Sequence, residues 1–223
     1  LMEKEINFLS KALNPEKPFV AIIGGSKISS KIGVLKNLIE KTDSLIIGGA
    51  MTYTFLKAEN KGIGKSLVEN DFLETALEII KKAKELNCNL IIAKDHVVAE
   101  SLESTDISIV EEIPDNKSGF DVGPKTIEEI KEVLKSAKTV VWNGPLGVFE
   151  NEHFANGTNQ VAHILADLTK KGTITIVGGG DSVSAIEKAG LTDSFSHIST
   201  GGGASLEFLE GIELPGIKAL KDL

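Results

Sequence analysis

Apolar residues in this chain come in short unbroken runs, separated by longer stretches in which they recur every third or fourth position. The runs fall at Pro18 to Gly24, Ser44 to Gly49, Asn89 to Lys94, Ile107 to Ile113, Thr139 to Asn143 and Thr173 to Gly178, with a shorter one at Ser194 to Thr200. Runs this short, rich in Val and Ile, predict strands. The stretches Ser29 to Lys41, Glu69 to Leu86, Thr126 to Ala137 and His153 to Lys171 carry helical spacing, and Thr126 with Glu129 reads as a capping box. Residues 3–13 read as an amphipathic helix ahead of the first strand. Strand and helix alternate, which implies right-handed crossovers and a mainly parallel sheet. A run such as Phe19-Val20-Ala21-Ile22-Ile23 has no polar alternation, so it suits burial on both faces. The expectation is an α/β, Rossmann-like three-layer sandwich around a mainly parallel six-stranded sheet.

Five of the runs end in glycine clusters: Ile23-Gly24-Gly25, Ile47-Gly48-Gly49, Trp142-Asn143-Gly144, Val177-Gly178-Gly179-Gly180 and Ser199-Thr200-Gly201-Gly202-Gly203. A single pair would signify no more than a tight turn. Five on parallel strands share one edge of the sheet, where open α/β folds bind ligands, and backbone without Cβ lets N–H groups approach phosphate oxygens. This points to a phosphate or nucleotide binder.

Composition narrows the classes. The 223 residues allow one large α/β domain, with 41% apolar and 25% charged residues as in ordinary globular proteins. No apolar run approaches the ~20 residues of a membrane span, and no signal peptide is visible. A net charge of −8 excludes a broad basic footprint for nucleic acid or anionic membrane. The single cysteine, Cys88, excludes an internal disulfide framework and fits a reducing cytoplasm, with a buried structural role. All 24 basic residues are lysine. Without arginine the chain cannot form the planar bidentate clamp that grips carboxylates and phosphates, and must use lysine charges, backbone N–H groups or a metal.

Common nucleotide motifs fail. Gly64-Lys65-Ser66 resembles the end of a Walker loop, but the glycine required at position 59 is Glu59 and Tyr53 to Ala58 looks helical, so a polar turn is the expectation. Neither Gly178-Gly179-Gly180 nor Gly201-Gly202-Gly203 continues as a dinucleotide fingerprint. Zinc spacing and Gly-x-Ser-x-Gly are both absent from the sequence.

Taken in order, Gly24-Gly25-Ser26-Lys27-Ile28-Ser29-Ser30-Lys31-Ile32-Gly33, Gly48-Gly49-Ala50-Met51, Trp142-Asn143-Gly144-Pro145-Leu146-Gly147-Val148-Phe149-Glu150, Gly178-Gly179-Gly180-Asp181-Ser182 and His197-Ile198-Ser199-Thr200-Gly201-Gly202-Gly203-Ala204-Ser205-Leu206-Glu207 closely resemble phosphoglycerate kinase. The resemblance runs from end to end and covers the carboxy-terminal, nucleotide-binding half of that family. It implies that residues 1–13 form the connector helix between the halves and 14–223 the nucleotide domain. The amino-terminal half, which holds 3-phosphoglycerate or 1,3-bisphosphoglycerate, is expected to lie outside this chain, and Leu1 followed by Met2 suits that expectation.

The resemblance also assigns roles. ATP or ADP would be substrate and Mg²⁺ the metal. Lys27 would touch the transferring phosphoryl and Lys31 the nucleotide phosphates, both near the opening of a helix, although two lysines at this spacing equally suit a solvated surface. Asp181 would hold the metal-nucleotide, with a helix N-cap as its alternative, and Ser182 would donate to phosphate. Gly24, Gly25, Gly178, Gly179, Gly180, Asn143 and Gly147 belong to the same nucleotide site. Glu150 would accept from the ribose hydroxyls. Gly48, Gly49, Gly119, Phe120, Pro145 and Val148 would line an apolar slot for adenine, although Phe120 on apolar grounds alone is ordinary core. Gly201, Gly202 and Gly203 would bind the phosphoryl group in flight, with Thr200 assisting, while His197 is structural. Phosphoryl transfer asks for positioning and charge stabilisation, not covalent participation by the protein. Where the family usually has alanine, aspartate, a third glycine, threonine and leucine, this chain has Ser26, Ser30, Ala50, Ser182 and Phe120. A cytoplasmic monomer that binds nucleotide without turning over is the expectation. A binding-only module and a Rossmann-type oxidoreductase are the alternatives.

Overall fold

The structure, a computed structural model, describes residues 2–199 and 201–212. Helix α1 (Met2–Leu13) leads into strand β1 (Phe19–Ile23), followed by a 3-10 turn (Ile28–Ser30), α2 (Ile32–Ile39), β2 (Ser44–Ile47) and α3 (Met51–Ala58). A second 3-10 turn (Asn70–Phe72) precedes α4 (Leu73–Glu85) and β3 (Asn89–Ile91). Then come β4 (His96–Ala99), β5 (Ser108–Val110), β6 (Ser118–Val122), α5 (Pro124–Lys135) and β7 (Thr139–Asn143). The chain continues through a 3-10 turn (Glu152–Phe154), α6 (Asn156–Lys170), β8 (Ile174–Gly178), α7 (Gly180–Lys188), β9 (His197–Ile198) and α8 (Gly202–Leu209).

Six strands form an all-parallel sheet in the order β3-β2-β1-β7-β8-β9. The order reverses direction between β1 and β7, the doubly wound arrangement. The unbroken apolar run of β1 is explained by its two faces. Phe19, Ala21 and Ile23 join a core cluster with residues of α2, α3, α4 and α8, while Val20 and Ile22 join a cluster with α5, α6 and α7. Trp142 is fully buried in the second cluster, and its indole N–H donates to the Gly144 carbonyl at 2.8 Å, fixing the loop that leaves β7.

Two expectations are corrected. The run at Ile107 to Ile113 does not enter the main sheet; as β5 it joins an antiparallel sheet, β5-β4-β6, whose strands β4 and β6 carry no clear apolar run. Their sequences include buried His96 and Asp121 and buried Gly119, so the alternation that identifies a strand is broken. Thr126 and Glu129 make no capping box. The helix starts earlier, with Gly123 at the cap and Pro124 in the first turn. Thr126 Oγ1 instead donates to Asp95 Oδ1 at 2.6 Å, and Glu129 pairs with Lys94 at 2.9 Å.

Helix α1 lies against the β9 edge. Phe8 stacks on His197 with centroids 5.0 Å apart, and the Ser199 hydroxyl donates to Glu5 at 2.8 Å. Burial lowers the His197 pKa, so its ring acts as a packed neutral surface. Cys88 is buried, and Thr42 Oγ1 lies 3.4 Å from its sulfur. Among the described residues, no helix is long and apolar enough to cross a membrane.

Candidate functional site

The parallel strands bring the glycine segments to one edge. Because α2 follows β1 on one face and α6 follows β7 on the other, a crevice opens between the two loops. The backbones there nearly touch. A Cβ on Gly24 would lie 2.0 Å from the Pro145 carbonyl oxygen, and Gly49, at φ +72°, would place one 2.3 Å from the Gly25 oxygen.

Two cavities meet at Gly25, Ser26, Pro145 and Asp181. The larger, about 520 Å³, has apolar walls from Ala50, Tyr53, Phe120, Leu146 and Val148, and Gly49, Gly119 and Gly147 also line it. Glu150 and Lys65 add charge to its lining. Leu67 and Leu102 also face it, and both are exposed large apolar side chains. The smaller, about 310 Å³, is walled by Gly24, Asn143, Gly144, Gly179, Gly180, Ser182 and Gly202, together with Ser30 and Lys31. The pair thus joins an apolar chamber to a chamber of backbone and polar groups.

Lys31 is the cation of the smaller cavity. Its Nζ donates to Asn143 Oδ1 at 2.5 Å, and Asn143 itself is buried. Burial lowers the Lys31 pKa, opposed by the carboxylates of Asp181 and Glu210. Two helix N-termini also face this cavity: α7 with Gly179 at its cap and α8 with Gly201, neither closed by a side-chain hydrogen bond. The first N–H groups of a helix lack intrahelical partners and carry partial positive charge. The combination suits an anion. Helix α8 is seated by Phe208 and Leu209 in the core and by Asn37 Nδ2 donating to the Leu209 carbonyl at 2.7 Å.

The sequence-derived residues divide by where they lie. Gly25, Gly49, Gly119, Phe120, Pro145, Gly147, Val148, Glu150 and Asp181 line the larger cavity, and Gly24, Lys31, Asn143, Gly179, Gly180, Ser182 and Gly202 the smaller. Gly48 and Gly178 lie beneath: a Cβ on Gly48 would meet Leu146 at 2.1 Å, and one on Gly178 would meet the Ser205 hydroxyl at 2.2 Å. Lys27, Gly201 and Gly203 line neither cavity. Lys27 and Lys31 stand on either side of the 3-10 turn that precedes α2. Lys27 is extended before the 3-10 turn, and Lys31 sits between that turn and α2. Thr200 lies outside the described residues.

Asp181 is not an N-cap. Gly179 occupies that position and Asp181 stands exposed in the first turn of α7. Ser182 is buried and its oxygen accepts the Gly144 N–H at 2.6 Å, so it braces the loop after β7. Phe120 packs on Phe154 with centroids 4.9 Å apart and lines the larger cavity. Ser30 Oγ donates to the Lys27 carbonyl at 2.9 Å, closing the turn between the lysines.

Sequence reasoning misses Tyr53 and Lys65, which line the larger cavity, and Asp121 behind it. Tyr53 belongs to a helix that reads as core, and its hydroxyl fills the space above Gly119, where a Cβ would be 2.2 Å away. Lys65 belongs to the failed Walker segment, a polar turn as expected, with Gly64 at φ +56°. Asp121 lies behind the wall. It is buried, its oxygens accept the N–H groups of Val122 and Gly157 at 2.9 and 2.8 Å, and burial pushes its pKa up to about 7 against those bonds.

Strand order and site define a Rossmann-like α/β protein with a crevice at the point where the sheet reverses. The phosphoglycerate kinase family profile matches residues 1–212. The chain is 57% identical to a phosphoglycerate kinase of Chlorobium phaeobacteroides (strain BS1), covering 100% of this chain and 57% of that protein. It is 55% identical to that of Fervidobacterium nodosum, with the same shares. Among solved structures, phosphoglycerate kinase from Coxiella burnetii superposes with a TM-score of 0.94 at 46% identity, covering 100% of this chain and 57% of the other. That of Pyrococcus horikoshii OT3 gives 0.82 at 32%, covering 99% of this chain and 56% of the other. The chain belongs to the phosphoglycerate kinase family and spans somewhat more than half the length of these relatives.

Proposed function

We propose that this chain is the nucleotide-holding part of a phosphoglycerate kinase, which moves a phosphoryl group between 1,3-bisphosphoglycerate and ADP to give 3-phosphoglycerate and ATP. The observation that carries the proposal is the meeting of the two cavities at Gly25, Pro145 and Asp181. A flat apolar base fits the larger and a phosphate chain the smaller. Residues 14–223 form the nucleotide domain and residues 1–13 the connector to the partner domain, which holds the phosphoglycerate. The whole acts as a monomer in the cytoplasm.

In this reading adenine lies in the apolar slot lined by Gly119, Phe120, Pro145 and Val148, with Gly48 and Gly49 keeping the end of β2 thin. Glu150 accepts from the ribose hydroxyls. Lys31 neutralises nucleotide phosphates, and the N–H groups of Gly179 to Ser182 and of Gly201 to Gly203 hold phosphate oxygens. Lys27, exposed at the rim, approaches the transferring phosphoryl. Asp181 holds Mg²⁺. The donor set fits that ion, because Asp181 presents one exposed carboxylate where the two cavities meet, and Mg²⁺ prefers one or two carboxylates completed by phosphate oxygens and water. When bound, the ion neutralises phosphate charge.

Titration calorimetry with Mg-ADP tests the reading. Binding is expected, and Lys31→Ala and Asp181→Ala should each weaken it by about 1.5 to 3 kcal/mol, the size of a hydrogen bond to a charged group. Absence of heat with millimolar nucleotide contradicts the site. Unchanged affinity in both variants contradicts the assignments of phosphate and metal. Tighter binding of a nicotinamide dinucleotide than of ADP would instead favour an oxidoreductase.

A further inference from the structure

The segment that begins at Gly64-Lys65-Ser66 fails as a phosphate loop, yet it connects the two chambers. At one end the Lys65 N–H donates to the Lys117 carbonyl at 2.8 Å, Ser66 Oγ accepts the Gly119 N–H at 2.9 Å, and Lys65 and Leu67 line the larger cavity. At the other end the Glu69 N–H donates to Thr54 Oγ1 at 3.1 Å, and Thr54 is buried in α3, so the backbone of Glu69 is fixed. The Glu69 carboxylate then reaches forty residues back in the sequence. It accepts the Ser29 N–H at 3.2 Å and, through its other oxygen, the Ser29 hydroxyl. Ser29 is the middle residue of the 3-10 turn that separates Lys27 from Lys31.

We propose that Glu69 is a positioning residue: by gripping both donors of Ser29 it sets the turn that presents Lys27 and Lys31, and ties that turn to the segment lining the apolar chamber. This rests on the nucleotide reading above. The turn has its own closures, from Ser30 Oγ to the Lys27 carbonyl and from the Lys31 N–H to the Ile28 carbonyl, but these hold it only to itself. Ile28 at its start is buried in the core with residues of α3, and Glu69 supplies the side-chain grip that joins its middle to the 64–69 segment. The role predicts an effect opposite in sign to simple electrostatics. A carboxylate near phosphates repels them, so a Glu69 that served only as a surface charge would, when neutralised, tighten phosphate binding.

Calorimetry of Mg-ATP and of adenosine, on the parent, Ser29→Ala, Glu69→Gln and the double variant, tests this. Glutamine keeps the size and one acceptor, so the fold should be retained, which a melting curve checks. Each single variant should weaken Mg-ATP about three- to fivefold, the range for one exposed charged contact. The double variant should lose less than the product of the two single losses, and adenosine affinity should stay at the parental value. Unchanged or tighter Mg-ATP binding in Glu69→Gln overturns the proposal, as does an equal loss for adenosine. If the parent binds neither ligand, the nucleotide reading fails and this proposal with it.

Discussion

Asp121 shows how a residue outside the cavity can govern it. A Cβ on Gly147 would lie 2.4 Å from Asp121 Oδ1, so the loop that walls the apolar chamber rests directly on this carboxyl. Its two oxygens also join the Val122 N–H of β6 to the Gly157 N–H of α6. Burial raises its pKa from 3.8 to about 7, so its protonated form is the one favoured by folding. The resulting stability is fully present below about pH 4 and is lost as pH rises through about 7. Asp121→Asn removes this titration and turns an amide N–H₂ toward one backbone donor, at a cost of about 1 to 3 kcal/mol. Denaturant unfolding should therefore find the variant clearly less stable than the parent at pH 4, with the gap closing toward pH 7. A gap independent of pH would show that Asp121 does not titrate in this range.

At the scale of elements, the close approach of β1 to the loop after β7 is the determining contact. Gly24→Ala would put a methyl 2.0 Å from the Pro145 oxygen and 2.5 Å from the Gly144 oxygen, both backbone, so the loop must shift. A loss of about 1 to 3 kcal/mol is expected, typical of overpacking. Gly180→Ala is the contrast, since nothing lies within 4 Å of the added methyl, and its stability should stay within about 0.5 kcal/mol. Equal unfolding midpoints for the two variants would contradict the packing argument. This contact also shows what the sequence could reveal. The glycine clusters and apolar runs placed the parallel strands, and β7 matches its expected limits, Thr139 to Asn143, because a strand buried on both faces must be continuously apolar. Strands β4 and β6 were hidden, since their pairing is local and antiparallel and their buried positions include His96 and Asp121. Tyr53 was hidden for another reason. It faces a cavity from a helix whose other positions are core, and periodicity does not distinguish a core face from a cavity wall.

For the whole molecule, the consequence of the proposed function is a division of labour. The chain has no arginine and spans 57% of the length of its Chlorobium phaeobacteroides relative. Orienting two reactants accounts for ~7 to 11 kcal/mol of a barrier, so a chain holding nucleotide alone should turn over 1,3-bisphosphoglycerate and ADP many orders of magnitude more slowly than a complete enzyme. A coupled assay should find activity when an amino-terminal half is added and none without it. Turnover by the chain alone near that of a complete enzyme would contradict this division.

In the proposed complex one nucleotide spans both cavities, base in the apolar chamber and phosphates in the polar one. A crystal structure of this chain with Mg-ADP tests it most directly. The ring is expected against Phe120 and Val148, the phosphates beside Lys31 and the N-terminus of α7, and the ion on Asp181. Density for ADP elsewhere on the molecule, or with its phosphates in the apolar chamber, would contradict it.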